Sequence, residues 1–407
     1  MPGFRSVVRR LARAVGHVLR EGDPRVFERY FRAAGSQESA AVLRQRTQDF
    51  DTIRDDPLFD EQVYVPPGHA SSTGDPVIPS RDEAILGFLV RWTAVGLSRR
   101  SAVNRVSRRP CAGFHPQIYA HENSRRYDAA TVNPFADFIR RGKPRGAWRP
   151  ELITPTATRD ASGLRPTLRT VLHAHFYYPE LADDLMGRIA SNARPCDLLV
   201  TTDSDVKAGR LRTATAGYQR GEVRIRIVPN RGRDIGPLFT GFAEELASDY
   251  DLIGHLHGKR SPEIDHGRVG GPWREFLWQH LAGGRHPMLD VIVDRFATDE
   301  SLGLVFAADP HQSDWDANLA LATALAERMG IEGALPPFFD FPVGTMFWAR
   351  PRALRPLFDL KLGWEDYPEE PVPVDGTLLH TLERLLPFAA CRAGYRFAMT
   401  WVPGVTW

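Results

Sequence analysis

The feature that most constrains the fold of this chain is the segment from Glu222 to Ser261. It contains two apolar runs separated by a helical pattern, and each run ends in a dense group of polar residues. Short strands that alternate with helices indicate βαβ units, in which ligands bind beyond the carboxyl ends of the strands. We therefore expect two adjacent strand-to-helix turns to bring both polar groups to one crevice, where they bind a phosphate-bearing ligand.

The same alternation continues on both sides of this segment. It predicts an α/β fold with a mostly parallel, nucleotide-binding type of sheet. The predicted strands are 167–177, 196–202, 222–228, 251–257, 302–307, 343–348 and 395–401. The predicted helices are 180–191, 206–218, 235–248, 281–299, 317–329, 352–358 and 378–386.

Four groups of polar residues lie at predicted strand ends. A sugar nucleotide needs a polar or aromatic pocket for its base, an acid or amide near the ribose, and cations against the diphosphate. Arginine binds phosphate oxygens through a planar fork, and lysine binds them as a point charge. The residues expected to bind the nucleotide-sugar are His173, Tyr177, Thr202, Asp203, Asn230, Arg231, Arg233, Asp234, His255, His257 and Lys259.

Simpler roles fit some of these residues. The stretch from Asn230 to Gly232 is also typical of a tight turn, and Asp234 is also typical of a helix cap. His255 and His257 alternate along a strand, so both point to one face, which favours contact with a ligand or a metal. Because Lys259 and Arg260 follow closely, their like charge disfavours a divalent cation, and we expect no metal.

A second region, residues 336–386, is rich in aromatic and acidic residues. Five of its residues are expected to line a pocket for the acceptor or the donor sugar: Gly344, Thr345, Met346, Trp348 and Glu370. Asp375 precedes a helix predicted to begin near Gly376. A carboxylate there is stabilised as the anion, so Asp375 is expected either to cap the helix or to act as a general base. On the same helix, His380, Glu383 and Arg384 are spaced to pair with one another.

Composition limits the class of protein. The chain has 407 residues, of which 43% are hydrophobic and 25% are charged, as in globular proteins. A net charge of +2 gives no reason to expect a nucleic-acid partner. Three widely spaced cysteines indicate a reducing compartment. No apolar run reaches the roughly 18–20 residues of a membrane span, and the N-terminus lacks a signal-peptide pattern. We therefore expect a cytoplasmic location.

The N-terminal part differs from the rest of the chain in composition and in the spacing of its apolar residues. Residues 4–20 place apolar residues at helical spacing with arginines between them, which suits either a membrane-surface helix or a helix that packs on protein. Residues 48–79 and 151–165 are rich in proline, glycine and polar residues, as connectors are. We divide the chain into a helical and irregular region at 1–110, a small helical module at 111–150 and a larger domain at 166–407.

The helical module contains a pattern of aromatic, proline and asparagine residues, namely Phe114, Pro116, Tyr119 and the pair Asn133–Pro134. In this pattern it resembles a module that recurs in bacterial polysaccharide glycosyltransferases, although His115 stands where aspartate is usual. Pro134 suits the first turn of a helix, and Gly142 suits the position after its end. The matching residues are thus expected to be architectural.

Six motifs follow one another between residues 169 and 387, in this order: HAHFYYPEL, DLLVTTD, PNRGRDIGPL, HLHGKRS, VGTMFWARPRAL and VDGTLLHTLERL. With these motifs the chain resembles the rhamnan synthesis protein F family of bacterial cell-surface polysaccharide glycosyltransferases. His175 occupies a position where valine or a similar residue is expected, which leaves its role open.

The resemblance implies a glycosyltransferase with a fold similar to the GT-A type. It would move a sugar, such as the deoxyhexose rhamnose, from a nucleotide-sugar to a lipid-linked glycan at the cytoplasmic face of the inner membrane. The metal-binding Asp-x-Asp of GT-A enzymes is replaced here by His255-Leu256-His257. His257, Lys259 and Arg231 or Arg233 are therefore expected to neutralise the diphosphate without a metal cofactor, with Asp375 as base in an inverting reaction.

Two other functions are consistent with the sequence. The aromatic residues around 338–348 would also serve a non-catalytic glycan-binding or scaffold subunit of a polysaccharide assembly complex. A phosphotransferase is a third possibility, with Asp203 and Asp205 as candidate metal ligands.

Overall fold

The computed structural model describes residues 40–64, 80–96, 108–126, 128, 131–155, 167–258 and 270–407. The chain divides into two compact units. Unit one comprises residues 1–150, 310–314 and Thr406, and unit two comprises 151–309, 315–405 and Trp407. The predicted helix at 4–20 lies outside the described residues, and so do Lys259 and Arg260. Within the described ranges, no helix is both long and apolar enough to cross a membrane.

Unit one is built around aromatic side chains. Phe114 and Phe138 are fully buried, with ring centroids 4.6 Å apart. The side chain of Asn133 caps the following helix by accepting hydrogen bonds from two backbone amides, Pro134 lies in its first turn, and Gly142 follows its end with φ of 73°. These residues are architectural, as predicted. The helices are α1 (Ala40–Arg54), α2 (Arg81–Gly96), α3 (Pro116–Glu122) and α4 (Pro134–Arg140).

Unit two contains one eight-stranded sheet with helices between the strands. Its order is β1, β8, β6, β7, β5, β2, β3, β4. The strands are β1 (Leu152–Ile153), β2 (Thr170–His175), β3 (Asp197–Thr202), β4 (Val223–Ile227), β5 (Leu252–His257), β6 (Leu302–Ala307), β7 (Phe347–Ala349) and β8 (Arg396–Thr400). The helices are α5 (Ala182–Ala190), α6 (Asp205–Thr215), α7 (Ala243–Ser248), α8 (Gly270–Leu281), α9 (Met288–Thr298), α10 (Leu319–Arg328), α11 (Arg355–Phe358) and α12 (Leu378–Arg392).

The sheet is mixed, which corrects the mostly parallel sheet expected from the sequence. Strand β7 runs antiparallel to both of its neighbours, β5 and β6. The α/β class is confirmed by the alternation of strands and helices. Strands β2, β5 and β6 are buried along their whole length, which explains why apolar residues dominate all three.

Two predicted helices are interrupted. The helix expected at 235–248 is a turn of π-helix at Pro237–Gly241 followed by α7. The helix expected at 281–299 is only α9, because α8 ends at Leu281 and the glycines at 283 and 284 adopt φ of 141° and 145°, outside the helical region. Helix α8 itself was not predicted.

The order of the strands creates a topological switch point. From β2 the chain adds β3 and then β4 on one side, and it then returns to place β5 on the other side of β2. These four strands run parallel to one another, so their carboxyl ends lie at one edge of the sheet. In sheets of this kind, the crevice between the carboxyl ends at the switch point is the usual ligand site.

Packing across β5 and β7 gives a prediction for stability. Gly254 lies opposite Trp348, and a Cβ atom at position 254 would stand 2.7 Å from the indole ring. Because Trp348 is fully buried and its Nε1 donates a hydrogen bond to the carbonyl of Leu281, it has little room to shift. We expect Gly254→Ala to lower the free energy of unfolding by about 1–3 kcal/mol, measured by urea denaturation.

The matched control is Gly209→Ala, in the middle of α6. No atom lies within 4 Å of the added methyl group there, and a helical glycine is less favourable than alanine by about 0.5–1 kcal/mol. This variant is expected to be at least as stable as the native chain. Equal stability of the two variants would refute the packing argument.

Candidate functional site

Four histidines lie at the carboxyl ends of β2 and β5, the two strands at the switch point. In the register of the parallel pair, His173 lies opposite His255 and His175 lies opposite His257. His173 and His255 are fully buried, whereas His175 is 9% exposed. The predicted placement of His255 and His257 at a strand end is confirmed. The sequence signal for His173 and His175 was the same alternation, but it did not reveal their partners.

The histidines form a connected hydrogen-bond network. Nδ1 of His173 lies 2.9 Å from Nδ1 of His255, and the two rings stack with centroids 5.0 Å apart. The hydroxyl of Thr201 lies 3.1 Å from Nε2 of His173 and 3.0 Å from Nδ1 of His175. Buried polar groups are tolerated when they are paired in this way.

Asp234 contacts the histidine network from a distant strand end. Its Oδ2 lies 3.4 Å from Nε2 of His255 and 3.8 Å from Nε2 of His257. The two strand-to-helix turns are not adjacent, contrary to our expectation, because β2 and β3 lie between β4 and β5. The segment after β4 nevertheless brings its polar residues to the histidines.

A tight turn gives that segment its path. Gly232 and Arg233 have positive φ, 76° and 49°, in the left-handed region that favours glycine. A Cβ atom on Gly232 would stand 2.9 Å from the ring of Tyr367. The turn predicted around Gly232 is therefore present, and it precedes the carboxylate that contacts the network.

Burial keeps His173 and His175 neutral. The pKa of His173 lies well below its ordinary value of 6.5, because burial and the neighbouring histidines disfavour its charged form. Burial lowers the pKa of His175 to about 3, although the carboxylate of Asp234 opposes the shift. Among the described residues, no group of three or more His, Cys, Asp or Glu side chains is arranged to hold a metal ion.

The turn at Gly344 and Thr345 is held from two sides. Nε2 of His257 donates a hydrogen bond of 2.8 Å to the carbonyl of Gly344. The amide of Gly344 donates to Oε1 of Glu383 at 2.6 Å, and the hydroxyl of Thr345 donates to the same atom at 3.3 Å. Glu383, expected only to pair along its helix, thus positions this turn.

Thr345 carries backbone strain. Its φ of 58° is unusual for a β-branched residue, and such conformations cost about 1–3 kcal/mol and cluster at functional sites. His257 and Glu383 hold the neighbouring peptide in place and so offset this cost. Gly344 and Thr345 therefore lie beside His257, and their part in a sugar pocket stays a prediction.

Asp375 is engaged by several donors. Its carboxylate accepts hydrogen bonds from the backbone amide of Ala317 at 3.1 Å and from Nδ2 of Asn318 at 2.8 Å, and the guanidinium of Arg384 lies 3.7 Å away. Burial raises the pKa of Asp375, but these interactions outweigh it, so the pKa lies below its ordinary value. The N-cap of α12 is Thr377, which corrects the capping role expected for Asp375.

His380 lies one turn further along the same helix. Its Nδ1 lies 2.8 Å from the hydroxyl of Thr377. Burial lowers the pKa of His380, and the positive charges of Arg384 and Arg233 lower it further, while the carboxylates of Asp375 and Asp234 oppose the shift. His380 is thus neutral at pH 7, and the charges of Arg233 and Asp234 in the segment after β4 influence its pKa. Sequence analysis treated it only as a partner for its helical neighbours.

Arg231 and Arg233 both contact the acidic segment at 365–372. Arg231 pairs with Glu365 at 2.7 Å and donates a hydrogen bond of 2.8 Å to the carbonyl of Tyr367. Arg233 pairs with Glu370 at 3.4 Å. Glu370 therefore contacts an arginine, and the two guanidinium groups connect the segment after β4 to the segment before α12.

The residues after β2 and β3 form a separate group. Tyr177 is 41% exposed, with the ammonium of Lys207 3.6 Å from its ring centroid. The same ammonium pairs with Asp203 at 2.7 Å. Thr202 is buried and donates its hydroxyl to the carbonyl of Phe176, and Asn230 is exposed.

Met346 and Trp348 belong to the core. Both are essentially inaccessible to solvent, and the indole of Trp348 lies against Gly254 and donates to the carbonyl of Leu281. The expectation that these two side chains line a sugar pocket is therefore wrong. Strand β7 is buried on both faces of the sheet, so side chains that alternate along it have no route to solvent.

The chain is similar in sequence to curated proteins over part of their length. The chain is 31% identical over 236 residues to an uncharacterized protein, WxcX, from each of two strains of Xanthomonas campestris pv. campestris. The match covers 57% of this chain and 32% of WxcX, so the chain spans about a third of the length of these curated relatives.

In structure, part of the chain is similar to a mannosyltransferase from Pyrobaculum calidifontis, solved with GDP-Man and Mn2+. It has 13% sequence identity and a TM-score of 0.33, and the alignment covers 71% of this chain and 66% of that one. The family described as rhamnan synthesis protein F matches residues 148–395, which include every strand of the sheet except the last. Since these residues make up more than half of the chain, the chain belongs to the rhamnan synthesis protein F family.

Proposed function

We propose that this chain is a glycosyltransferase that binds a nucleotide-sugar at the carboxyl ends of β2 and β5. The observation that carries the proposal is the convergence of neutral histidines, Asp234 and the strained Gly344–Thr345 turn at the topological switch point of the sheet. Membership of the rhamnan synthesis protein F family supports it. We propose a deoxyhexose such as rhamnose as the sugar and a lipid-linked glycan at the inner-membrane surface as the acceptor.

Arg231 and Arg233, together with Lys259, are proposed to bind the diphosphate without a metal. The arginines are paired with the acidic segment, but the carboxylates of Glu365 and Glu369 are 90% and 82% exposed. Exposed ion pairs of this kind contribute about 0–1 kcal/mol. A diphosphate that accepts bidentate hydrogen bonds can therefore replace the carboxylates as the partner of the arginines.

His380 is proposed as the general base, in place of Asp375. In an inverting transfer, the acceptor hydroxyl oxygen attacks the anomeric carbon, its proton passes to the base, and the nucleoside diphosphate leaves. Nδ1 of His380 contacts Thr377, and among the described residues Nε2 has no hydrogen-bond partner, so Nε2 is the nitrogen that would accept the proton. Asp375, with a lowered pKa and several donors, is a weaker base and is proposed to position residues 317–318.

The scaffold alternative has less support. Four of the five aromatic residues that would stack on a glycan are buried, namely Phe339, Phe341, Phe347 and Trp348. The phosphotransferase alternative is weakened as well, because the carboxylate of Asp203 pairs with Lys207.

A panel of nucleotide-sugars tests the proposed function. Incubation with each donor and a rhamnose-terminated lipid-linked acceptor, with EDTA or with Mg2+, is expected to release nucleoside diphosphate for at least one donor in both conditions. The readout is nucleoside diphosphate measured by chromatography. Thermal stabilisation by a donor without release would support the scaffold alternative, and activity lost in EDTA would contradict metal independence.

Replacement of the proposed base gives a second test. His380→Asn retains a polar group near Thr377 but removes Nε2, and loss of a general base costs about 10²–10⁴ in rate. We expect kcat of His380→Asn to fall at least about 100-fold, whereas Asp375→Asn should lose no more than about 10-fold. The opposite ranking would restore Asp375 as the base.

The pH dependence checks the same assignment. A base must be unprotonated to act, and the pKa of His380 lies below its ordinary 6.5 in the folded chain. Activity should therefore fall as pH drops through a midpoint below 6.5, and this acidic limb should be absent from the residual activity of His380→Asn. An unchanged acidic limb in that variant would exclude His380.

The arginines give a further test. Arg233→Met should weaken the binding of a nucleoside diphosphate about 10- to 150-fold, because a charge-assisted hydrogen bond contributes about 1.5–3 kcal/mol. Calorimetry with the diphosphate of the active donor is the measurement. The control is Arg355→Met, which removes an exposed arginine paired with Asp359 on its own helix. Equal affinity of the two variants would mean that Arg233 only holds the acidic segment.

A further inference from the structure

We propose that Asp234 sets the direction of a hydrogen-bond chain through His255, His173 and Thr201, and that this chain leaves Nε2 of His175 as a neutral acceptor for a ligand hydroxyl group. The direction follows from the order of the contacts, because each neutral imidazole donates through one nitrogen and accepts through the other. The hydrogen-bond chain itself does not depend on the proposed function.

The first step fixes the proton on His255. An ionised carboxylate can only accept a hydrogen bond, so Nε2 of His255 donates to Oδ2 of Asp234 across 3.4 Å. His255 is fully buried, where a charged ring would be costly. A neutral His255 with its proton on Nε2 has a lone pair on Nδ1.

The second step fixes the proton on His173. The two Nδ1 atoms are 2.9 Å apart, so one of them carries a hydrogen and the other accepts it. Since Nδ1 of His255 is the acceptor, Nδ1 of His173 is the donor. His173 is also fully buried and neutral, which leaves its Nε2 as an acceptor.

The third step passes through Thr201. Nε2 of His173 accepts from the Thr201 hydroxyl at 3.1 Å, so the hydroxyl hydrogen is committed to that contact. The Thr201 oxygen then accepts from Nδ1 of His175 at 3.0 Å. His175 therefore carries its proton on Nδ1, and its remaining nitrogen, Nε2, has a lone pair.

Apart from Asp234 at the other end, His175 is the most exposed member of the hydrogen-bond chain. It is 9% exposed, while His173, His255 and Thr201 are fully buried. Among the described residues, Nε2 of His175 has no hydrogen-bond partner. A neutral nitrogen lone pair accepts from a hydroxyl group and repels a phosphate oxygen, so the ligand group expected at His175 is a sugar hydroxyl.

Nitrogen NMR measures the direction of the chain. In long-range 1H–15N spectra of the full chain, each histidine shows which nitrogen is protonated, and single His→Gln variants assign the signals. We expect the Nδ1–H tautomer for His173 and His175 and the Nε2–H tautomer for His255. A charged ring, or the Nε2–H tautomer at His173 or His175, would overturn the proposal.

Removal of the carboxylate tests the role of Asp234 as a positioning residue. Asp234→Ala should give mixed tautomers at His173 and His175, while Asp234→Asn retains an oxygen acceptor and should keep the native pattern. Asp203→Ala removes a carboxylate outside the chain and should also keep it. Native tautomers in a folded Asp234→Ala variant would show that Asp234 does not set the direction.

The hydroxyl assignment has its own readout and rests on the proposed sugar substrate. L-Rhamnose should move the Nε2 signal of His175 to lower 15N frequency, and inorganic pyrophosphate should leave it in place. A response to pyrophosphate alone, or to neither probe, would overturn the hydroxyl assignment. If the tautomers are as expected, such a result would overturn the proposed ligand and not the hydrogen-bond chain.

Discussion

The hydrogen bond between Asp234 and His255 joins the two polar groups on which the site of unit two depends. The residues are 21 positions apart in the sequence, and the strands that precede them are separated by two others in the sheet. Without this carboxylate, the buried imidazoles of His173 and His255 would have no fixed acceptor at the end of their network. Because unsatisfied polar groups are costly in the interior, the contact stabilises both the edge of the sheet and the path of the segment after β4.

The interior strands were predictable because a strand that is buried on both faces appears in the sequence as a short apolar run. Strand β6 was predicted with the bounds that the structure has, 302–307. The antiparallel direction of β7 was not predictable, since three residues carry no signal for direction or for neighbours. The break after α8 was also missed, although Gly283 and Gly284 mark it, because the apolar periodicity on either side hides a short connection.

The site was predictable where residue type and spacing are local. Alternation placed His255 and His257 on one face of β5, and glycine marked the turn at 232. Contacts between distant segments were not visible in the sequence. Arg231 looks like a phosphate ligand, yet it contacts Glu365, 134 positions away, and Trp348 looks like a sugar-stacking residue, yet Gly254 leaves the space that buries its ring. Both differences arise from partners that only the tertiary fold supplies.

The electrostatics of the site separate two kinds of recognition. Burial lowers the pKa of His173 and of His175, and the Nε2–H group of His257 is donated to the carbonyl of Gly344, so these three rings contribute little positive charge toward a diphosphate. Positive charge comes instead from Arg231 and Arg233, which are partly exposed and whose acidic partners are exposed and weakly held. Neutral acceptors suit hydroxyl groups and exposed guanidinium groups suit phosphates. His175, at a position where the resemblance led us to expect valine or a similar residue, then has a physical role, because its Nε2 lone pair ends the proposed hydrogen-bond chain that begins at Asp234.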